Sequence, residues 1–194
     1  MTEVNLLDSI KASFGCIGEE IKRRSEYDVF VSSLKHLDNL NNKKVYLKRG
    51  VYDIEDVLVL ENTSLYGEGI INGDIKLIGD SCILSGIRVN GVVYVSSNSC
   101  MIDIPYCDQC IINVNVFSTV NILECESITN ISDVLITSNI IKSKAISNNG
   151  IWMIDKLITD IVYVDGGVVS ASCAYINNEF EYNKKFKENK YGRK

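Results

Sequence analysis

The chain has 194 residues, 46% of them hydrophobic, and a formal net charge of −5. That apolar content excludes a wholly disordered chain, and the length allows one domain with a real core or a small domain plus an appendage. The mild negative charge speaks for solubility and against nucleic acid as the main partner.

In chain order, residues 3–24 predict a helix. Leu7, Ile10, Phe14, Ile17 and Ile21 recur at spacings of 3, 4, 3 and 4, a narrow stripe of the coiled-coil kind. Gly15 and Gly18 weaken it by about 1 kcal/mol each relative to alanine. The stripe either packs on its own chain or forms an oligomerisation seam between copies, and two heptads leave both open. A second helix is expected to start at Asp28 as N-cap and to bury Phe30, Leu34 and Leu37. Residues 1–42 therefore read as a helical cap and assembly segment.

From Val45 to about Tyr175 short β-rich runs alternate with corners of Gly, Asn, Asp or Ser, and Pro105 is the one proline. The runs repeat themselves. Asp80-Ser81-Cys82 recurs as Asn98-Ser99-Cys100, Asn72-Gly73 as Asn90-Gly91, and Ile75-Lys76-Leu77 as Val93-Tyr94-Val95. All three recur at one offset of 18 (98 − 80, 90 − 72, 93 − 75). A short fixed period of β-formers and tight corners predicts an all-β solenoid, each period one coil. Residues 43–178 would hold about seven coils, a rod on the order of 35 Å long at ~4.8 Å per coil. The repeat is clear from Asn62 to Cys100 and blurs after Pro105, so the later coils are an extrapolation. An open end strand invites pairing with another chain, which the N-terminal helices would prevent at the first coil.

Residues 179–194 form a charged, net basic tail with interleaved aromatics. Such a composition suits either a nucleic-acid-binding arm or a solvated arm that orders against a neighbour, and the acidic whole favours the second.

The segment Asn42-Lys43-Lys44-Val45-Tyr46-Leu47-Lys48-Arg49-Gly50-Val51-Tyr52 resembles the lead-in of the pectate-lyase-like right-handed β-helix superfamily. There a helix leads to a strand of the type V-Y-L-P-P-G-x-Y, and Lys48-Arg49 stands here in place of the proline pair. Ser64-Leu65-Tyr66-Gly67-Glu68-Gly69 resembles the strand and turn that follow. The resemblance covers about residues 28–100 and implies a right-handed parallel β-helix with an N-terminal α-helical cap. Its members include polysaccharide lyases and hydrolases and many bacteriophage tail-spike and appendage proteins, so it implies a fold before an activity. Bactofilins, built from a similar short-coil rod, are a weaker match.

Enzymes of that superfamily set carboxylates on neighbouring coils, with Ca²⁺ and a base in the lyases or two to three Asp in the hydrolases. Here Asp74, Asp80, Asp103, Asp108, Asp133, Asp155, Asp160 and Asp165 are scattered beside turns. The single histidine, His36, falls on the expected capping helix, and Arg88 reads as a solvated strand residue. No catalytic residue is assigned. Among the seven cysteines, Cys107 and Cys110 form a C-x-x-C without a second ligand pair, so neither metal nor cofactor is expected. Cys82 and Cys100, one period apart, should stack as a core ladder. Nucleotide-binding glycine motifs are missing. The first residues lack a basic stretch followed by an apolar run, so reduced thiols and a cytoplasmic site of synthesis are expected, and no apolar run reaches membrane-spanning length.

The expected role is a structural virion protein: a phage tail, neck or capsid-surface component, assembled in the host cytoplasm on other virion proteins or on copies of itself. Trimers, usual for phage β-helices, are implied by the resemblance. Nucleic acid and membrane are not expected partners. The rival is a module that binds or cleaves a surface glycan, with Tyr94, Tyr106 and Trp152 as candidate contacts. A third reading is a self-polymerising, bactofilin-like rod.

Overall fold

The structure, a computed structural model, describes residues 26–33, 37, 39–176 and 179–187, the last stretch largely as backbone. The described chain is an all-β parallel solenoid of about eight turns with about 18 residues per turn. Its strands are β1 (Val29–Val31), β2 (Lys44–Leu47), β3 (Val51–Asp53), β4 (Leu58–Glu61), β5 (Ser64–Gly67), β6 (Ile70–Asn72) and β7 (Ile75–Ser85). They continue as β8 (Arg88–Ile104), β9 (Tyr106–Ile112), β10 (Ser118–Asn130), β11 (Leu135–Asn148), β12 (Ile151–Val164), β13 (Val168–Ile176) and β14 (Glu179–Lys187). From β7 on, most strands bend around a corner and serve two faces of the rod.

Three stacks of parallel rungs make the three faces. On the first, Val45, Leu65, Leu84, Ile102 and Val120 lie over one another in successive coils. Beside them Ile104, Ile122, Ile141, Leu157 and Ala174 form a second column. The second face stacks Tyr52, Ile71, Val89, Cys107, Cys125, Ser143 and Thr159. The third stacks Ile75, Val93, Cys110, Ile128 and Ile146. All of these side chains are buried. Strand alternation explains the arrangement: residues i and i+2 point inward, and β-branched Ile and Val fit the pleated, close-spaced wall. Each fully buried Val, Leu or Ile contributes about 1.5–3 kcal/mol of hydrophobic stabilisation. Cys82 pairs with Cys100 in the same ladder, and both are buried.

Corners need partners for backbone groups that leave the ladder. Ser118 Oγ accepts the Cys100 N–H at 3.0 Å, and Ser132 Oγ accepts the Val114 N–H at 2.8 Å, each one coil away. At another corner Asn130 donates from Nδ2 to Asn148 Oδ1 at 2.7 Å, and Asn148 Nδ2 donates to the Gly150 carbonyl at 2.6 Å. Both asparagines are buried, and among the described residues no buried side-chain polar atom lacks a partner. Gly86 turns with φ 76°, and a Cβ there would sit 2.5 Å from the Gly67 carbonyl oxygen of the preceding coil. Glycine is required at that corner on both counts.

The N-terminal reading is corrected in part. Val29–Val31 is a strand paired with Val45–Leu47, not the start of a helix. Asp28, expected as an N-cap, takes the Lys44 N–H on Oδ2 at 2.7 Å. A tertiary ladder outcompetes the local cap because Val29, Phe30 and Val31 are strand formers lying beside an open edge. The first rung thus lies inside the segment read as a cap. Leu37 is buried, while Leu34, His36 and the seam residues Leu7, Ile10, Phe14, Ile17 and Ile21 lie outside the described residues.

At the other end the basic tail begins as a strand rather than a solvated arm. β14 pairs antiparallel with β13, from Ile176↔Glu179 to Val168↔Lys187, and Phe186 packs partly buried against the core. It is the one antiparallel strand pairing in the described sheet.

Replacing Asn148 by alanine strands the buried Asn130 Nδ2, while the Gly150 carbonyl keeps the Val168 N–H at 2.8 Å. Asn148→Ala should cost about 1–3 kcal/mol, read as a lower urea midpoint at unchanged slope. An unchanged midpoint would refute the role given to this pair.

Candidate functional site

Outward positions on the rungs bring sequence-distant residues into rows, and the second face carries the most polar of these. Asp53, Asn72 and Asn90 occupy equivalent places in three coils. Asn72 Nδ2 donates to Asp53 Oδ1 at 2.6 Å and Asn90 Nδ2 to Asn72 Oδ1 at 2.7 Å. Arg88 donates from Nε to Asn90 Oδ1 at 2.8 Å, and its guanidinium carbon lies 3.8 Å from the centroid of the Tyr106 ring, its partner one coil on. Tyr106 donates its hydroxyl to Asp108 Oδ1 at 2.6 Å. That bond, above all, pushes the Tyr106 phenol up to about 12.

Further along this face Lys142 pairs with Glu124 at 3.4 Å and Lys144 with Glu126 at 2.5 Å. These four residues, with Asp160 and Tyr175, line a shallow groove of about 230 Å³. Exposed pairs of this kind are screened by water and salt and add little to stability. A larger hollow of about 500 Å³ lies nearer the N-terminal end, where Asp53, Glu55 and Asp56 face Leu37, Asn39 and Leu40.

The first face carries aromatic and apolar rows. Phe30 and Tyr46 are register partners and stack at 5.0 Å, Tyr46 is in turn the partner of Tyr66, and Tyr27 packs against all three rings. Lys44 Nζ sits 4.7 Å from the Tyr27 ring centroid and 5.6 Å from that of Tyr66. Further along the same face, Met101, Ile151 and Met153 are exposed at 41%, 49% and 52%, and Phe117, at the bend before β10, at 57%. Ile151 lies between Leu135 and Val168 in its column, and Met153 follows Thr137 in the next.

The expected glycan contacts are divided by this geometry. Tyr106 stands half-buried on the second face and Tyr94 half-buried on the third, so they form no common row. Trp152 is a correction: it is wholly buried under Ile136 and Val169, and its indole Nε1 donates to Ser138 Oγ at 2.9 Å. Its strand position points inward, one place off the outward Ile151 and Met153. The Tyr27, Phe30, Tyr46 and Tyr66 cluster was missed because its coils depart from the regular period. One circuit runs from Phe30 to Tyr46 (46 − 30 = 16) and the next from Tyr46 to Tyr66 (66 − 46 = 20).

The carboxylates remain dispersed. Asp74 Oδ1 accepts the Val92 N–H, Asp80 Oδ1 accepts Asn98 Nδ2, and Asp103, Asp133, Asp155, Asp160 and Asp165 are exposed at separate places. Among the described residues no three His, Cys, Asp or Glu side chains gather as a metal would need. Cys107 and Cys110 are buried in different faces, and Cys107 Sγ lies 3.5 Å from Cys125 Sγ. The Cys107 thiol is raised chiefly through Cys110, and the Cys125 thiol through its hydrogen bond with Cys107 and through burial. Burial pushes Cys100 up to about 11.

Two expectations follow. The Tyr106–Asp108 bond stabilises the fold fully below the unfolded tyrosine value of ~10 and is lost as pH rises through the raised native value. In an ultraviolet titration, one late-ionising tyrosine should disappear in Tyr106→Phe and ionise earlier in Asp108→Asn; identical curves for the three proteins would refute this. Thiol chemistry gives the second: under native conditions half-exposed Cys173 should be alkylated well before buried Cys82, Cys100, Cys107, Cys110 and Cys125. Peptide mapping reads this directly, and equal labelling of Cys125 and Cys173 would contradict the burial.

Among the described residues no helix is long and apolar enough to cross a membrane. Comparison with protein-family models, curated proteins and solved structures finds no match for this chain, and its faces alone carry the functional reading.

Proposed function

We propose that this protein is a structural assembly module, a rigid rod that docks side-on in a larger multi-chain particle. The observation that carries the reading is the first face: Met101, Ile151 and Met153 present large apolar groups on a stiff parallel sheet, and Phe117 is exposed at the bend before β10. Apolar groups gathered on one exposed face suit a protein contact. The rungs beneath are in register coil after coil, so the face is preorganised and loses little freedom on docking. A virion component, with copies of itself or other virion proteins as neighbours, is the setting that joins rod, apolar face and reduced thiols.

One observation favours a second reading. Tyr46 and Tyr66, ringed by Tyr27, Phe30 and Lys44, offer stacking surfaces and a cation of the kind that hold an acidic sugar. This supports a carbohydrate-binding role on the N-terminal half of the same face.

The two readings separate experimentally. Ile151→Glu with Met153→Glu should release the protein from its native particle in sedimentation while leaving its circular dichroism unchanged. Retention in the particle would sink the docking role of this face. New reducing ends, or unsaturated-uronate absorbance, after incubation with polyuronates or bacterial capsule with and without Ca²⁺ would replace the structural reading with an enzymatic one.

A further inference from the structure

The C-terminal end of the rod is covered unevenly. On the first and second faces the last parallel coil, β13, carries β14 above it. On the third face the last rung is residues 161–164 of β12. It pairs with residues 145–148 of β11 and, among the described residues, with no strand beyond it. The core opens at this point. Ile146 and Asn148 are buried, whereas Val162 and Val164, stacked on them in the same columns, are only half-buried. The Asp165 N–H bonds to the Asn148 carbonyl of the coil below. Strand alternation therefore turns the N–H and C=O of Val162 and Val164 toward the open end. Backbone groups at an apolar edge need partners, and an added strand supplies them.

The backbone of β14 heads for this rung. It descends β13 one residue for one, from Ile176↔Glu179 to Val168↔Lys187, with no residue gained or lost at the bend between Ala171 and Cys173. Beyond Val168 the coil beneath continues backward through the bend at residues 165–167 and onto residues 161–164. At the same pace, residues 188–190 span that bend. Tyr191 then stands opposite Val164, Gly192 opposite Tyr163 and Arg193 opposite Val162. Charge points the same way. Exposed Asp160 and Asp165 flank the rung, and the segment after Lys187 holds Lys190, Arg193 and Lys194 against Glu188 alone.

We infer that residues 161–164 are a strand-docking edge closed by this chain's own residues 188–194, which lie outside the described residues. The added strand runs antiparallel, in the register that β14 already keeps. It pairs the backbone of Val162 and Val164 and covers the half-open end of their columns. The closure makes this end of the rod a terminus rather than a point of elongation, because an antiparallel strand breaks the sense in which a further coil would follow. It does not depend on the lateral apolar face.

Residue-resolved hydrogen exchange on the full chain tests it. Tyr191→Pro with Arg193→Pro removes the two N–H groups that the pairing needs. The Val162 and Val164 amides should exchange about tenfold or more faster in that variant than in the wild type. The Ile146 and Asn148 amides, one coil below, should stay equally slow in both and so report an intact fold. Wild-type protection should not depend on protein concentration. A crosslink gives an independent reading. Tyr163 and Gly192 face each other at a position without ladder hydrogen bonds, where Cα atoms lie about 4.5 Å apart, within disulfide reach. Tyr163→Cys with Gly192→Cys, treated with oxidised glutathione, should yield a 163–192 link within one chain. Fast exchange of Val162 and Val164 in the wild type, equal protection in the proline variant, or no 163–192 link would each overturn the closure. Protection that rises with concentration, or a link found only between chains, would transfer the edge to a second copy and overturn it too.

Discussion

Everything in this molecule hangs on coil-over-coil register. Backbone hydrogen bonds run along the rod axis, so every residue on a rung is held above a counterpart at the same pleat position. Burial follows from that constraint. Ile104, Ile122, Ile141, Leu157 and Ala174 share one interior column because a one-residue slip would turn all of them to solvent. The same alternation separates Trp152, sealed inside, from Ile151 and Met153 on either side of it. Faces in such a rod are assembled from residues one coil apart, and the chemistry of a face is the chemistry of its rows.

Two kinds of side chain defend the register where the backbone turns. Small hydroxyls such as Ser118 and Ser132 take amide hydrogens from the neighbouring coil, and Asn130 and Asn148 pass hydrogen bonds along a buried corner. These groups are polar and sequestered, so each is tolerated only with its partner in place. Fully satisfied, they add directional bonds to the register that the aliphatic columns already impose. Two thiols continue the second-face column, Cys107 and Cys125 lying between Val89 and Ser143.

How far the sequence disclosed this depends on which coil is considered. The matches between Asp80 and Asn98, or Ile75 and Val93, lie on one strand pair that keeps a single offset of 18 from Ile75↔Val93 to Ser85↔Asp103, and there the coil could be read directly. After Ser118 the interval drifts: to Ile136 it is 136 − 118 = 18, on to Trp152 it is 152 − 136 = 16, and on to Val169 it is 169 − 152 = 17. The pattern dissolves although the stacking does not. At the N-terminus the steps from Val29 to Val45 (45 − 29 = 16) and from Val45 to Leu65 (65 − 45 = 20) are more unequal still. They hid both the first rung and the aromatic cluster above it. Val29–Val31 was legible as strand by propensity, but Asp28 imitated a helix cap. Trp152 was misjudged because its facing depends on where the corner falls, and periodicity alone does not fix corners.

That unevenness has a mechanical corollary. The short circuit from Val29 to Val45 and the long one from Val45 to Leu65 climb by the same step, because only the rungs set the rise and the surplus is spent at the bends. Height is therefore decoupled from chain length, as floors of a tower keep their spacing however wide each balcony grows. Insertions confined to a bend would enlarge the girth locally and leave the distance between the two extremities untouched, which suits a component whose neighbours must meet it at a set span.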